Sequence, residues 1–260
     1  MTKKLLTTKQ TSLANICLEQ GKQHVRDGNP AAAMLCFTET IRLQADFVPA
    51  YHNLADLLQA QGLTAQAIDV YQQALQLAPT MAVLHCNLAG LWQFQGDTDL
   101  AIAGYEHALT LSPNLLIAHL NLGKVFASLN QFADAKNSYQ SALQIKPDAA
   151  DVYLELGHLY RQQGMLDLAI NCIKTALRYQ PDFARADNSL AATLQQRAEI
   201  KLSKVCHQRA IALQPKNDAA YTNLDLVLEN LRQLDIAQYL RNHIFSSSIN
   251  SHDSNNFTGN

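Results

Sequence analysis

The chain has 260 residues, 48% of them apolar, which is enough for one or two ordinary domains with a filled core and excludes disorder throughout. Its 20 basic and 22 acidic residues leave a net charge of −2, too little for an electrostatic footprint on a phosphate backbone or an anionic membrane surface. Neither nucleic acid nor a membrane is expected as a partner.

The first residues, MTKKLLTTKQTSLANIC, begin with adjacent lysines but hold no apolar run of signal-peptide length, and Cys17 lacks the apolar stretch of a lipoprotein signal. No segment reaches the roughly 18 unbroken apolar residues of a membrane span. Five cysteines, Cys17, Cys36, Cys86, Cys172 and Cys206, are an odd count in a core-capable chain and argue against a disulfide framework. The expectation is a cytoplasmic protein whose residues 1–13 are an N-terminal extension.

From Ala14 onward the chain repeats itself. NLADLLQAQG at Asn53, NLAGLWQFQG at Asn87 and NLGKVFASLN at Asn121 are spaced by 34 residues, and a 34-residue frame gives units starting at 14, 48, 82, 116, 150, 184 and 218. Position 8 of the frame is Gly21, Ala55, Ala89, Gly123, Gly157 and Ala191; position 20 is Ala33, Ala67, Ala101, Ala135, Ala169 and Ser203. Position 24 is mostly large (Phe37, Tyr71, Tyr105, Tyr139, Ile173, His207), position 27 is alanine from Ala74 to Ala210, and position 32 is proline from Pro79 to Pro215.

Within each unit, positions 4, 7, 8 and 11 share one helical face, as Tyr153, Leu156, Gly157 and Tyr160 illustrate. A turn follows, often with glycine at position 15, as at Gly28, Gly62, Gly96 and Gly164, and then a second apolar stripe through positions 20, 24 and 27. Small residues at 8 and 20 let the two helices approach, the residue at 24 fills the space beside them, and the proline stops the second helix. Each unit reads as a helical hairpin that buries its stripes only by stacking on neighbours.

These positions resemble those of the tetratricopeptide repeat, over residues 14–244 and most fully in units two to five. The resemblance implies an all-α fold, a right-handed solenoid or superhelix of about seven stacked hairpins. The end units depart from the pattern: unit six has Asp187 at position 4 and His207 at 24, and unit seven has Asp225 at 8 and Arg241 at 24. The polar segment 245–260 is expected to be a disordered tail.

On the first helix of each unit, positions 2, 5, 6, 9, 12 and 13 lie opposite the core-facing stripe. In tetratricopeptide proteins the comparable face lines a concave groove that holds a partner's peptide or helix. Position 6 is Asn53, Asn87, Asn121 and Asn223, interrupted by Glu155 and Ser189. Asparagine both donates and accepts, so this column could hold a peptide backbone, similar to the asparagine ladder in the superhelical arm of O-linked N-acetylglucosamine transferase. The alternative is that these amides satisfy neighbouring groups of the chain itself.

Around the column the same positions place Lys22 and Arg26 first, then His52, Val83, Cys86, Phe94, Ile117, Leu120 and Lys124, then Asp151, Glu155, His158, Arg161 and Arg185. An apolar centre with charged flanks is the expected groove. A clamp for chaperone C-termini is not expected, because position 9 carries no asparagine.

No catalytic or metal site is expected. Asp151, Glu155 and His158 share a helical face but lack ligands from a neighbouring helix, and His52 with Asp56 reads as a helix-surface pair. His85 and His119, at position 4, read as packing residues, and no phosphate loop, nucleophile elbow or zinc-protease helix occurs. The expected function is a non-enzymatic adaptor for a protein or peptide partner, without cofactor. Two rival readings are the targeting subunit of a separate enzyme such as a glycosyltransferase, and a scaffold whose end, including Leu240, Ile244 and Phe245, stacks on another copy.

Overall fold

The computed structural model describes the backbone of residues 2–253 and the side chains of residues 11–236. The described residues form thirteen α-helices and no strand. They divide into two compact units, residues 1–146 and 147–260.

The first unit holds four hairpins: α1 (Thr2–Arg26) with α2 (Pro30–Leu43), α3 (Val48–Ala60) with α4 (Thr64–Leu77), α5 (Ala82–Gln95) with α6 (Thr98–Leu111), and α7 (Leu116–Ser128) with α8 (Phe132–Ile145). The second holds α9 (Ala150–Gln162) with α10 (Leu166–Tyr179), α11 (Ala184–Gln196) with α12 (Ile200–Leu213), and the single helix α13 (Asp218–Asp253). Inside each unit the second helix of one hairpin packs on the first helix of the next.

One local device makes every turn. The residue at position 15 has positive φ, as Gly28, Gly62, Gly96, Asn130, Gly164 and Ala198. The following N–H then returns to the carbonyl at position 11, from Asn29 to His24, Leu63 to Leu58, Asp97 to Trp92, Gln131 to Phe126, Met165 to Tyr160 and Glu199 to Leu194, at 2.8–2.9 Å. A left-handed residue closing such a bond is how an α-helix ends and reverses, and glycine adopts it without steric cost.

The hairpin interior follows from positions 8 and 24. A Cβ added to Gly21 would fall 2.5 Å from Phe37 Cε1, one on Gly123 2.5 Å from Tyr139 Cε1, and one on Gly157 2.5 Å from Ile173 Cγ1. The alanines at position 20 from Ala33 to Ala169, and Tyr71, Tyr105 and Ile173 at position 24, are fully buried.

A second recurring contact joins consecutive hairpins. Tyr51 donates to the Ala45 carbonyl at 2.9 Å, while His85 Nε2 lies 2.8 Å from the Pro79 carbonyl and His119 Nε2 2.9 Å from that of Pro113. Position 4 thus holds the carbonyl at position 32 of the preceding unit, which gives His85 and His119 a bonding role in addition to packing.

The ends differ from expectation. Residues 2–13, expected as an extension, are helical and continuous with α1, as no proline or glycine interrupts the sequence before Gly21. The seventh unit is not a hairpin: α13 runs through Arg232, which occupies position 15 without a left-handed turn, and continues to Asp253. The segment expected to be disordered is therefore helical through residue 253, and 254–260 lie outside the described residues. Leu240, Ile244 and Phe245 lie outside the described side chains.

Candidate interaction surface

In the first unit, the candidate surface lies on α3, α5 and α7. His52, Asn53, Asn87, Asn121 and Lys124 are half-buried, Val83 and Ile117 are exposed, and Phe94 is 75% exposed. Cys86 and Leu120 depart from expectation, with only 2% and 6% of their surface exposed. Both occupy position 5, about 60° around the helix from core position 8 and about 40° from position 1. Cys86 packs in the cluster of Ala89, Ala101 and Tyr105, and burial pushes its thiol up to about 11. The outward face therefore narrows to positions 2, 6, 9, 12 and 13.

The asparagines do more than face outward. Asn87 Nδ2 donates to the Tyr71 hydroxyl at 3.0 Å and lies 2.9 Å from His52 Nε2. Tyr71 in turn donates to Asp56, whose other carboxylate oxygen is 3.4 Å from His52 Nδ1. With Nε2 accepting from Asn87, the His52 ring carries its proton on Nδ1, the nitrogen that faces Asp56. Burial, followed by the bond to Asp56, holds the Tyr71 hydroxyl above its ordinary pKa.

Asn121 stands in the same relation to Tyr105, whose hydroxyl donates to Gln93 at 2.9 Å. Burial raises the Tyr105 pKa and the Asn121 bond opposes that rise. Asn53 follows Phe37, which has no hydroxyl, and donates instead to the Pro49 carbonyl of its own helix at 2.6 Å. The signal was present in the frame, as asparagine at position 6 following tyrosine at position 24 of the preceding unit. At the start of this unit, Lys22 pairs with Glu19 at 2.8 Å and Arg26 donates to Gln23, so both are tied to their own helix.

In the second unit, the corresponding surface is charged. Arg185 lies 3.8 Å from Asp151 and 3.5 Å from Glu155, and His158 lies 3.3 Å from Glu155 and 2.8 Å from Ser189. Position 6 is bound across repeats here as well, with Ser189 reaching His158 one unit earlier. Arg161 and Asn223 are half-buried. Among the described residues no group of three His, Cys, Asp or Glu side chains is placed to hold a metal ion, and no helix is long and apolar enough to cross a membrane.

Residues 48–81, 123–164 and 150–183 match family models described as tetratricopeptide or TPR repeats. No protein of curated function matches the sequence. Among solved structures, the fold is similar to the APC/C hetero-tetramer Cut9-Hcn1, with a TM-score of 0.72 and 21% identity over 85% of this chain, which spans 46% of that one. It is similar to PilW, a widely conserved type IV pilus biogenesis factor, with a TM-score of 0.72 and 19% identity over 81% of this chain and 98% of that one. It is also similar to YrrB, a TPR protein with an unusual peptide-binding site, with a TM-score of 0.50 and 22% identity over 72% of this chain and 96% of that one. At these identities the likeness is one of fold. The family models match repeats in both compact units, and the matched segments are tetratricopeptide repeats.

Proposed function

We propose that this chain is a non-enzymatic adaptor that holds an extended segment or helix of a partner protein on the outward face of its first helices. Tetratricopeptide repeats are interaction modules, and stacking them presents one position of each repeat at regular intervals. YrrB, of similar fold, is described as having a peptide-binding site.

The observation that carries the reading is Phe94. An aromatic ring 75% exposed on α5, with Val83 on the same helix and Ile117 on α7 also exposed, is the kind of apolar group that anchors a partner. Asn87 beside them has its amide protons engaged within the chain, so its carbonyl Oδ1 is the atom left to accept from a guest backbone. The charged set of Asp151, Glu155 and Arg185 would meet polar parts of a partner.

The test is selection of binding peptides from a random library on wild-type protein, followed by affinity measurement on Phe94→Asp and Arg26→Ala. Because Phe94 is exposed, its substitution leaves the fold intact, which circular dichroism checks. Loss of about tenfold or more in affinity with Phe94→Asp, but not with the distant Arg26→Ala, supports the reading, at the 1.4 kcal/mol per decade expected for a buried aromatic anchor. Peptides that bind Phe94→Asp as tightly as wild type place the interaction elsewhere.

A further inference from the structure

Position 5 of one repeat precedes position 6 of the next by 35 residues, the separation of His52 and Asn87, whose side chains meet. For the three consecutive asparagines the corresponding pairs are Leu18 with Asn53, His52 with Asn87 and Cys86 with Asn121. Of these partners only the imidazole exchanges a proton near neutral pH, since leucine does not ionise and burial pushes the Cys86 thiol up to about 11.

Asn87 Nδ2 has two protons, one donated to the Tyr71 hydroxyl at 3.0 Å and the other to His52 Nε2 at 2.9 Å. Two acceptors thus fix which end of the amide faces inward. His52 is half-buried and meets the Tyr71 ring edge to face, with 6.0 Å between centroids. Its Nε2 accepts only while it lacks a proton. Once the ring is protonated both nitrogens donate, and two N–H groups would face each other across 2.9 Å. Turning the Asn87 amide over sets Oδ1 against Nε2–H instead. The rotatable Tyr71 hydroxyl can then pass its bond from Asp56 to Oδ1, while Asp56 keeps the charged Nδ1–H, 3.4 Å away.

The other titratable groups around His52 do not make this exchange. Cys86 on α5 lies beside Tyr71 and stays a thiol. On α1 and α2, Glu19 pairs with Lys22 and Glu39 with Arg42. Asp69, about 200° around α4 from Tyr71, points away.

We infer that His52 is the positioning residue of this surface: its neutral Nε2 holds the Asn87 amide so that Oδ1 is left for a guest, and its protonation turns that amide over. The surface then changes at Asn87 from accepting a hydrogen bond to donating one as pH falls. The consequence for a guest rests on the function proposed above, whereas the turn of the amide belongs to the free chain.

The test is nuclear magnetic resonance on the isotope-labelled full chain, without guest, from pH 8 to 5. Long-range proton–nitrogen spectra read the His52 tautomer and its titration, and nuclear Overhauser contacts read which end of each amide lies against its tyrosine. At pH 8, His52 is expected to carry its proton on Nδ1, with the Asn87 amide protons against Tyr71. As pH falls through the His52 titration, those contacts should be lost while the contacts of Asn121 with Tyr105 persist. His52→Gln, which does not titrate, should abolish the change, and its spectrum at pH 8 checks the fold. Peptides selected at pH 8 should lose about fivefold in affinity across the same titration on wild type but not on His52→Gln. A His52 proton on Nε2 at pH 8, or an Asn87 amide that keeps its Tyr71 contacts below the titration, overturns the assignment. A turn that persists in His52→Gln overturns it by giving the change to another group. A turn that occurs as described without a change in affinity supports the role of His52 and overturns the use of Asn87 by the guest.

Discussion

The amide of Asn87 donates to the hydroxyl of Tyr71, 16 residues earlier, at 3.0 Å, and so ties the third hairpin to the second. The same amide reaches His52 Nε2, and Tyr71 in turn donates to Asp56. Asn87→Ala removes two bonds and leaves His52 Nε2 without its donor, at an expected cost of about 1–2 kcal/mol. Chemical denaturation reads this directly, and an unchanged midpoint would return Asn87 to the role of a free contact for a guest.

Unit six replaces the usual contact between position 4 and the preceding prolyl carbonyl. Position 4 is Asp187, which is buried and cannot donate in its ionised form; Arg209 from α12 donates to the Pro181 carbonyl instead and lies 3.5 Å from the Asp187 carboxylate. Burial raises the Asp187 pKa and Arg209 opposes the rise. Since Arg209 is half-exposed, Arg209→Ala is expected to cost about 1–3 kcal/mol, less than a fully buried pair would lose. Adding Asp187→Asn should recover part of it, and a double-mutant cycle showing no coupling would sink the assignment.

His207 is fully buried, and neither ring nitrogen has a partner among the described residues. Burial lowers its pKa below 6.5. Above pH 6.5 the ring is neutral in both states; as pH falls through 6.5 the unfolded chain binds a proton that the folded chain resists, so stability is lost toward acid. His207→Tyr should abolish that loss. It should also add about 1 kcal/mol at neutral pH, by giving Asn223 the hydroxyl that Tyr71 gives Asn87. Denaturation midpoints of both proteins between pH 5 and 8 provide the check, and parallel pH profiles would contradict the role given to His207.

Ala198 holds φ at +65° at the turn between α11 and α12, where four other units have glycine. Ala198→Gly relieves the crowding of Cβ in the left-handed region and should stabilise by about 0.5–1 kcal/mol, after the greater freedom of glycine in the unfolded chain is subtracted. The same exchange at Gly164 reversed, Gly164→Ala, should destabilise by a similar amount. Equal midpoints for wild type and both variants would show that the turn does not carry this strain.

Much of this protein was legible in the sequence because it is local. A 34-residue period, small residues at positions 8 and 20, a large one at 24 and a glycine at 15 each state what one helix or one turn requires, and Gly21 with Phe37 or Gly96 at its turn meets that requirement wherever the hairpin sits. What the outward face consists of was decided by tertiary packing. Helix arithmetic on a single helix put Cys86 and Leu120 outside, but tertiary packing buries both. The bonds of Asn87 span 16 and 35 residues, so they exist only once repeats are stacked. The last unit departs most: with Arg232 at position 15, α13 runs on to Asp253 instead of reversing.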